Sequence, residues 1–115
     1  MKKIQTDKEA GILLAVALIL CWLFVLQYGI FGSRVDWISQ HSVLPDYFRQ
    51  RFYATGNLFP DIAWNLGGGQ NIYNFSYYGL FSPVILFSYL LPFVPMGLYI
   101  MASSMAAYGA SAVLF

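Results

Sequence analysis

In the stretch GIFGSRVDWISQH, residues 29–41, an arginine, an aspartate, a glutamine and a histidine follow an apolar run that contains no acid or base. Asp36 has the widest chemical reach of the four. A carboxylate can draw the proton from an attacking hydroxyl, or help to hold a divalent cation on a leaving phosphate. Arg34 beside it and Arg49 further on carry planar guanidinium forks that match phosphate oxygens. Gln40 and His41 add hydrogen-bonding groups, and one histidine alone makes no metal cluster. A structural account is equally open. Asp36 can cap a helix starting at Trp37, with Ser39 nearby, and the arginines, Arg51 included, can pair with Asp36 or Asp46 or touch lipid headgroups. Spacing leaves both accounts standing. Asp46 and Asp61 each follow a proline at a predicted helix start, where a carboxylate faces the positive end of the helix dipole.

A second group lies in WNLGGGQNIYNFSYYG, residues 64–79. Three consecutive glycines, Gly68 at their centre, permit positive φ and expose backbone N–H groups that can cradle an anion. Asn65, Gln70, Asn71 and Asn74 supply amides, and Tyr73, Phe75, Tyr77 and Tyr78 supply flat faces. Amides alternating with aromatic rings suit a sugar, whose hydroxyls take the amides and whose C–H faces stack on rings. A flexible turn with an interfacial aromatic belt has the same composition. The glycine run is no nucleotide motif, because no Gly-Lys-Ser/Thr follows and no strand precedes it.

These groups must be positioned by a membrane protein. Hydrophobic residues make up 59% of the 115 residues and charged ones 10%, against about 25% charged in soluble domains. From residue 62 to residue 115 there is no Asp, Glu, Lys, Arg or His. A water-facing surface of that length would aggregate, whereas a lipid-facing one needs no charge. The net charge of +1 gives no basis for nucleic-acid binding. The single Cys21 lies in an apolar run and excludes an intrachain disulfide.

The predicted fold is all-α and polytopic: two transmembrane helices joined by a long external loop with short interfacial helices. Residues 1–9 form a polar tail. Residues 10–31 form the first span, roughly 33 Å long against a hydrocarbon core of about 30 Å. Its apolar run is too long for a signal peptide, and QYGIFGS is a poor cleavage site. Residues 32–79 form the loop, which lies along the membrane surface. Within it, Pro45-Asp46 starts a helix with Leu44, Phe48 and Phe52 on one stripe, Arg49 and Gln50 off it, and Gly56-Asn57 as the stop. A second short helix is expected from Pro60-Asp61 to Gly67, burying Ile62 and Trp64. Residues 80–95, broken by Pro83, Pro92 and Pro95, are expected to be interfacial or re-entrant and packed against protein. Residues 97–115 form a second span rich in Ala, Ser and Gly, which suits close helix packing. With no partner expected for these spans within the chain, the sequence reads as the N-terminal piece of a larger membrane protein. Lys2, Lys3 and Lys8 before the first span balance Arg34, Arg49 and Arg51 after it, so charge does not fix the orientation.

DWISQHSVLPDYFRQ, followed by LFPDIAWNLGGGQNIYNFSYYGLFSPVILFSYLLPFVP, resembles the N-terminal region of the bacterial YfhO membrane-protein family, from about Gly32 to Pro95. The ordered motifs D-W-x-x-Q-H, W-N-L-G-G-G-Q-N and Y-Y-G-L-x-S-P carry the resemblance. It implies a multi-pass glycosyltransferase of the GT-C type, in which the full-length protein is active and this piece alone is not. Such an enzyme moves a sugar from a polyprenyl-phosphate donor to an envelope polymer such as lipoteichoic or wall teichoic acid. The resemblance also implies a bacterial cell membrane, a cytoplasmic N-terminus and an external loop. Asp36 stands where such enzymes carry a functional acid, as base or as a ligand of a divalent metal. The arginines and the glycine segment carry over only as pocket wall. The candidate substrate-binding residues are then Arg34, Gln40, His41, Arg49, Asn65, Gly68, Gln70, Asn71 and Tyr73. The remaining helices of the longer protein, the lipid bilayer, the donor and the acceptor are the implied partners. The competing expectation is a non-catalytic transporter, channel subunit or lipid- and polymer-binding membrane protein.

Overall fold

A computed structural model describes residues 2–114, with side chains from Asp7 onward. The chain is mostly helical and divides into two units, Met1–Ser33 with Met101–Phe115, and Arg34–Ile100.

The first unit is built from helix α1, Lys2–Tyr28, and most of helix α4, Met96–Leu114. Both are long and apolar enough to cross a membrane, α1 over Asp7–Tyr28 and α4 over its whole length. Helix α1 starts earlier than the apolar run because Lys, Gln and Glu in the tail are good helix formers. It stops at Gly29, whose φ of 81° ends the helix and whose N–H still reaches Val25 O at 2.7 Å. The absence of a packing partner expected from sequence is corrected here. A Cβ added to Gly109 of α4 would lie 2.9 Å from Leu14 Cδ1 of α1, so the missing side chain is what lets the helices approach. Ala17, Cys21 and Gly109 are buried, while most other large apolar side chains of α1 stay exposed.

The second unit starts with one wide helical turn of the π type, Trp37–His41, and continues into helix α2, Val43–Thr55. Leu44 and Phe48 are buried and Phe52 packs against the same core. Full burial of one such side chain stabilises by about 1.5–3 kcal/mol. Gly56, at φ 69°, ends α2 with its N–H on Phe52 O, as the Gly-Asn stop predicts.

The helix expected over residues 60–67 does not form. Ile62–Ala63, strand β1, pairs antiparallel with Gln70–Asn71, strand β2, in the register Ile62 to Asn71 and Ala63 to Gln70. Ala63 is buried, whereas Ile62 and Trp64 are exposed. The reason lies in the connection. Gly67, Gly68 and Gly69 all take positive φ, a conformation closed to most residues, and turn the chain back on itself. Asp61 therefore caps no helix, and its carbonyl instead accepts the Ile72 N–H at 3.1 Å.

After β2 a 3-10 helix, Ile72–Tyr78, ends at Gly79, at φ 104°. Helix α3, Pro83–Phe87, runs into a 3-10 turn, Ser88–Leu90, and a strap over residues 91–95 leads to α4. Pro83 sits in the first turn of α3, where its missing N–H costs nothing. The core joins Leu44, Phe48, Ala63, Ile72, Leu80, Ile85, Tyr89 and Met96.

Candidate functional site

The second unit places the sequence-predicted residues in three separate groups. Asp36, Gln40 and His41 share the wide turn and face the end of the 72–78 helix. The turn is held by Ser42, whose N–H and Oγ both donate to Trp37 O, at 3.1 and 2.8 Å. Ser39 Oγ donates to Val35 O at 2.6 Å. The Tyr78 hydroxyl donates to Gln40 Oε1, and the Tyr78 ring lies 5.5 Å from that of His41. Tyr77 and Trp37 flank this pair, at 4.3 Å from Tyr78 and 6.2 Å from His41.

Asp36 occupies the position before the turn, but its side chain makes no capping hydrogen bond. The backbone explains why. A capping residue is usually extended, which aims its side chain back at the first free N–H groups. Asp36 is already helical, at φ −71° and ψ −33°. Its charge is instead felt by Tyr78. The neighbouring Tyr77 hydroxyl foremost, then partial loss of water, then the negative charges of Tyr77 and Asp36 hold the Tyr78 phenol above its ordinary value. Arg34 is exposed two residues ahead of Asp36.

The second group is the hairpin. Asn71 Oδ1 accepts the Tyr73 N–H at 2.9 Å and so caps the 72–78 helix. The Tyr73 hydroxyl donates to Phe59 O at 3.2 Å, and its ring stacks on Phe81 at 6.0 Å. Asn71 and Tyr73 thus have structural partners, whereas Asn65, Gly68 and Gln70 are exposed on the hairpin. The Gly69 N–H is already taken by Leu66 O at 3.0 Å, which leaves less of the anion cradle than three glycines suggest.

Arg49 belongs to neither group. Expected off the apolar stripe, it is 6% exposed. Its guanidinium donates to Leu91 O at 3.2 Å, to Val94 O at 2.9 Å and to Asp46 Oδ1 at 2.7 Å. Gln50 Nε2 donates to Asp46 Oδ2 at 2.6 Å. This arginine pins the proline-rich strap to α2. An open cleft of about 740 Å³ runs beside it, between α2 and residues 92–96. The spacing of Asp46 and Arg49, three apart on a helix, was the signal for half of this arrangement. No local signal ties Tyr78 to Gln40, 38 residues earlier.

No family model matches the sequence, and neither a curated protein nor a solved structure is significantly similar to it. Among the described residues, no three His, Cys, Asp or Glu side chains are grouped to hold a metal ion. The residues around Asp36 therefore do not by themselves make a metal site.

Proposed function

We propose that this chain is the N-terminal part of a multi-pass membrane glycosyltransferase that takes a sugar from a polyprenyl-phosphate donor and passes it to an envelope polymer. The observation that carries the reading is the position of Asp36. It heads a folded unit a few residues beyond a span-length helix and stands with Gln40, His41 and Tyr78. The sequence resemblance around D-W-x-x-Q-H supports the same assignment.

In this reading α1 and α4 cross the bilayer, the N-terminus is cytoplasmic, residues 32–79 are external and residues 80–95 lie at the membrane interface. The acceptor hydroxyl attacks the anomeric carbon of the donor sugar. Its oxygen forms the new glycosidic bond while the bond from that carbon to the phosphate oxygen breaks. The polyprenyl phosphate leaves with the bonding electrons, and Asp36 accepts the hydroxyl proton. Gln40 and His41 hydrogen-bond the sugar or acceptor, and Tyr78 holds Gln40 in place.

The test is Asp36→Asn in the full-length protein, with polymer glycosylation normalised to membrane abundance. Loss of a general base lowers the rate by about 10²–10⁴. A rate above roughly a tenth of wild type is inconsistent with that role and returns the chain to the non-catalytic, polymer-binding class. Orientation is checked separately in a Cys21→Ala background. Ser42→Cys should react with an impermeant maleimide on intact cells, and labelling of Thr6→Cys instead reverses the topology.

A further inference from the structure

Residues 83–95 show two unlike faces. On one, Ile85, Ser88 and Tyr89 are buried in the core of the second unit, and the carbonyls of Leu91 and Val94 are held by Arg49. On the other, Val84, Phe87, Leu90 and Phe93 recur every third residue. They are 48%, 61%, 69% and 79% exposed, rising toward the start of α4 at Met96. The spacing of three runs from α3 through the 3-10 turn, where side chains three apart eclipse, to Phe93 in the strap. Four large apolar groups in one row, without a charged residue from 62 onward, form a surface that water does not favour.

We propose that this row is a bilayer-contact surface, seated at the level of the lipid headgroups and upper acyl chains and not threaded through the hydrocarbon core. Two observations on the same segment fix the occupant and the depth. The row runs within three residues of a span-length helix, so the segment is tethered to the membrane boundary by continuity of the chain. The same segment borders the Arg49–Asp46 ion pair, which lines an open cleft together with Gln50 and with Phe93 at the end of the row. Sinking the segment to the bilayer centre would strip water from that pair at a cost of several kcal/mol. Only at the boundary do the apolar row and the ion pair both find a suitable medium, with apolar side chains reaching about 5–10 Å inward. The row then acts as a keel that sets which side of the 34–100 unit meets lipid. This inference rests on the membrane reading above and is independent of the transfer chemistry.

The test is site-directed nitroxide labelling of the full-length protein in lipid vesicles, in a Cys21→Ala background. Labels go singly at Phe87, Leu90 and Phe93, with Thr55 as the water reference and Ile19 of α1 as the deep-lipid reference. The expected result at Leu90 and Phe93 is an oxygen-to-nickel-chelate collision ratio several-fold above that at Thr55 and clearly below that at Ile19. Strong chelate collisions at both positions overturn the proposal in favour of water. Weak collisions with both reagents overturn it in favour of a protein partner. A ratio equal to that at Ile19 overturns it in favour of a re-entrant segment. If Ile19 itself collides freely with chelate, the membrane reading has failed, a result distinguishable from failure of the keel alone. The Phe87 label, nearer the core, guards against a local effect of labelling at either outer site.

Discussion

Asp46 and Asp36 are the same residue ten positions apart, and the structure uses them differently. Asp46 sits in the first turn of α2 with both oxygens engaged, one by Arg49 and one by Gln50. The arginine in turn fastens residues 91–94. Asp36 sits at the head of a turn that is held by serines, and its side chain makes no capping hydrogen bond there. A carboxylate whose lone pairs bind its own fold is a structural element, and protonating or replacing it disturbs packing. The Asp36 side chain makes no capping hydrogen bond to its turn, and its charge is felt by Tyr78. The two arginines differ in burial as well, Arg49 being buried against the strap and Arg34 exposed.

The largest effect should separate these two acids by activity. If the chain belongs to the proposed transferase, Asp36→Asn is expected to cut glycosyl transfer by about 10²–10⁴, or roughly 3–5 kcal/mol of barrier, with a smaller loss of thermal stability than Asp46→Asn. Asp46→Asn should do the reverse, lowering the melting temperature and leaving most of the transfer rate. If both variants lose activity in proportion to stability, the contrast collapses. Next in size is Arg49→Met, which leaves two carbonyls and the Asp46 charge without their shared donor. It should destabilise the second unit by about 3 kcal/mol, read as a lower unfolding midpoint. Arg49→Lys should recover only part of that, because one ammonium cannot reproduce the planar fork.

A third change sharpens the comparison from the Tyr78 side. Gly79 follows Tyr78 at φ 104°, and an added Cβ would lie 2.8 Å from Ile85 Cγ1. Gly79→Ala should cost about 2 kcal/mol and impair transfer by displacing Tyr78, with the Arg49 contacts retained. Smallest is Tyr89→Phe. The Tyr89 hydroxyl is buried without a hydrogen-bond partner, so its removal should change stability by about 1 kcal/mol or less at neutral pH, toward greater stability. The sign changes the picture in alkali. Burial pushes the Tyr89 phenol up from 10.0 to about 12, against a smaller opposing effect of Arg49. A group raised on folding is favourable in its neutral form below its unfolded value. That contribution is lost as pH rises from about 10 through about 12. Melting curves of wild type should therefore fall away from those of Tyr89→Phe above about pH 10, and parallel curves would exclude the effect.

The parts of the fold legible in sequence are those governed by short-range chemistry. An apolar run ending in glycine gave α1, and Pro-Asp, an apolar stripe and Gly-Asn gave α2 with its stop. The hairpin was hidden because a two-residue bridge leaves almost no periodic pattern, while Pro60-Asp61 is a standard helix opening. What decided the matter was three glycines at positive φ, which the sequence permits but does not compel. Burial of Arg49 was hidden for a different reason. Its acceptors are backbone carbonyls 42 and 45 residues away, and carbonyls look alike in any sequence. The candidate site was half legible. Asp36, Gln40 and His41 fall within one turn, as their spacing suggests, but the tyrosine that completes the group arrives from the far side of the hairpin.

The grip of Arg49 on the strap also has a temporal side. Prolines at 92 and 95 donate no backbone hydrogen bond, so strand pairing cannot fasten this segment, and one side chain made much earlier does so instead. During synthesis, α2 emerges while its guanidinium still lacks Leu91 and Val94. The loop it must close spans about 45 residues, and closing it carries the entropy of that length. The second unit is therefore a structure that locks late, only after the strap has left the ribosome. A nascent chain stalled before residue 91 should be open to protease within α2, and one stalled beyond α4 should resist it.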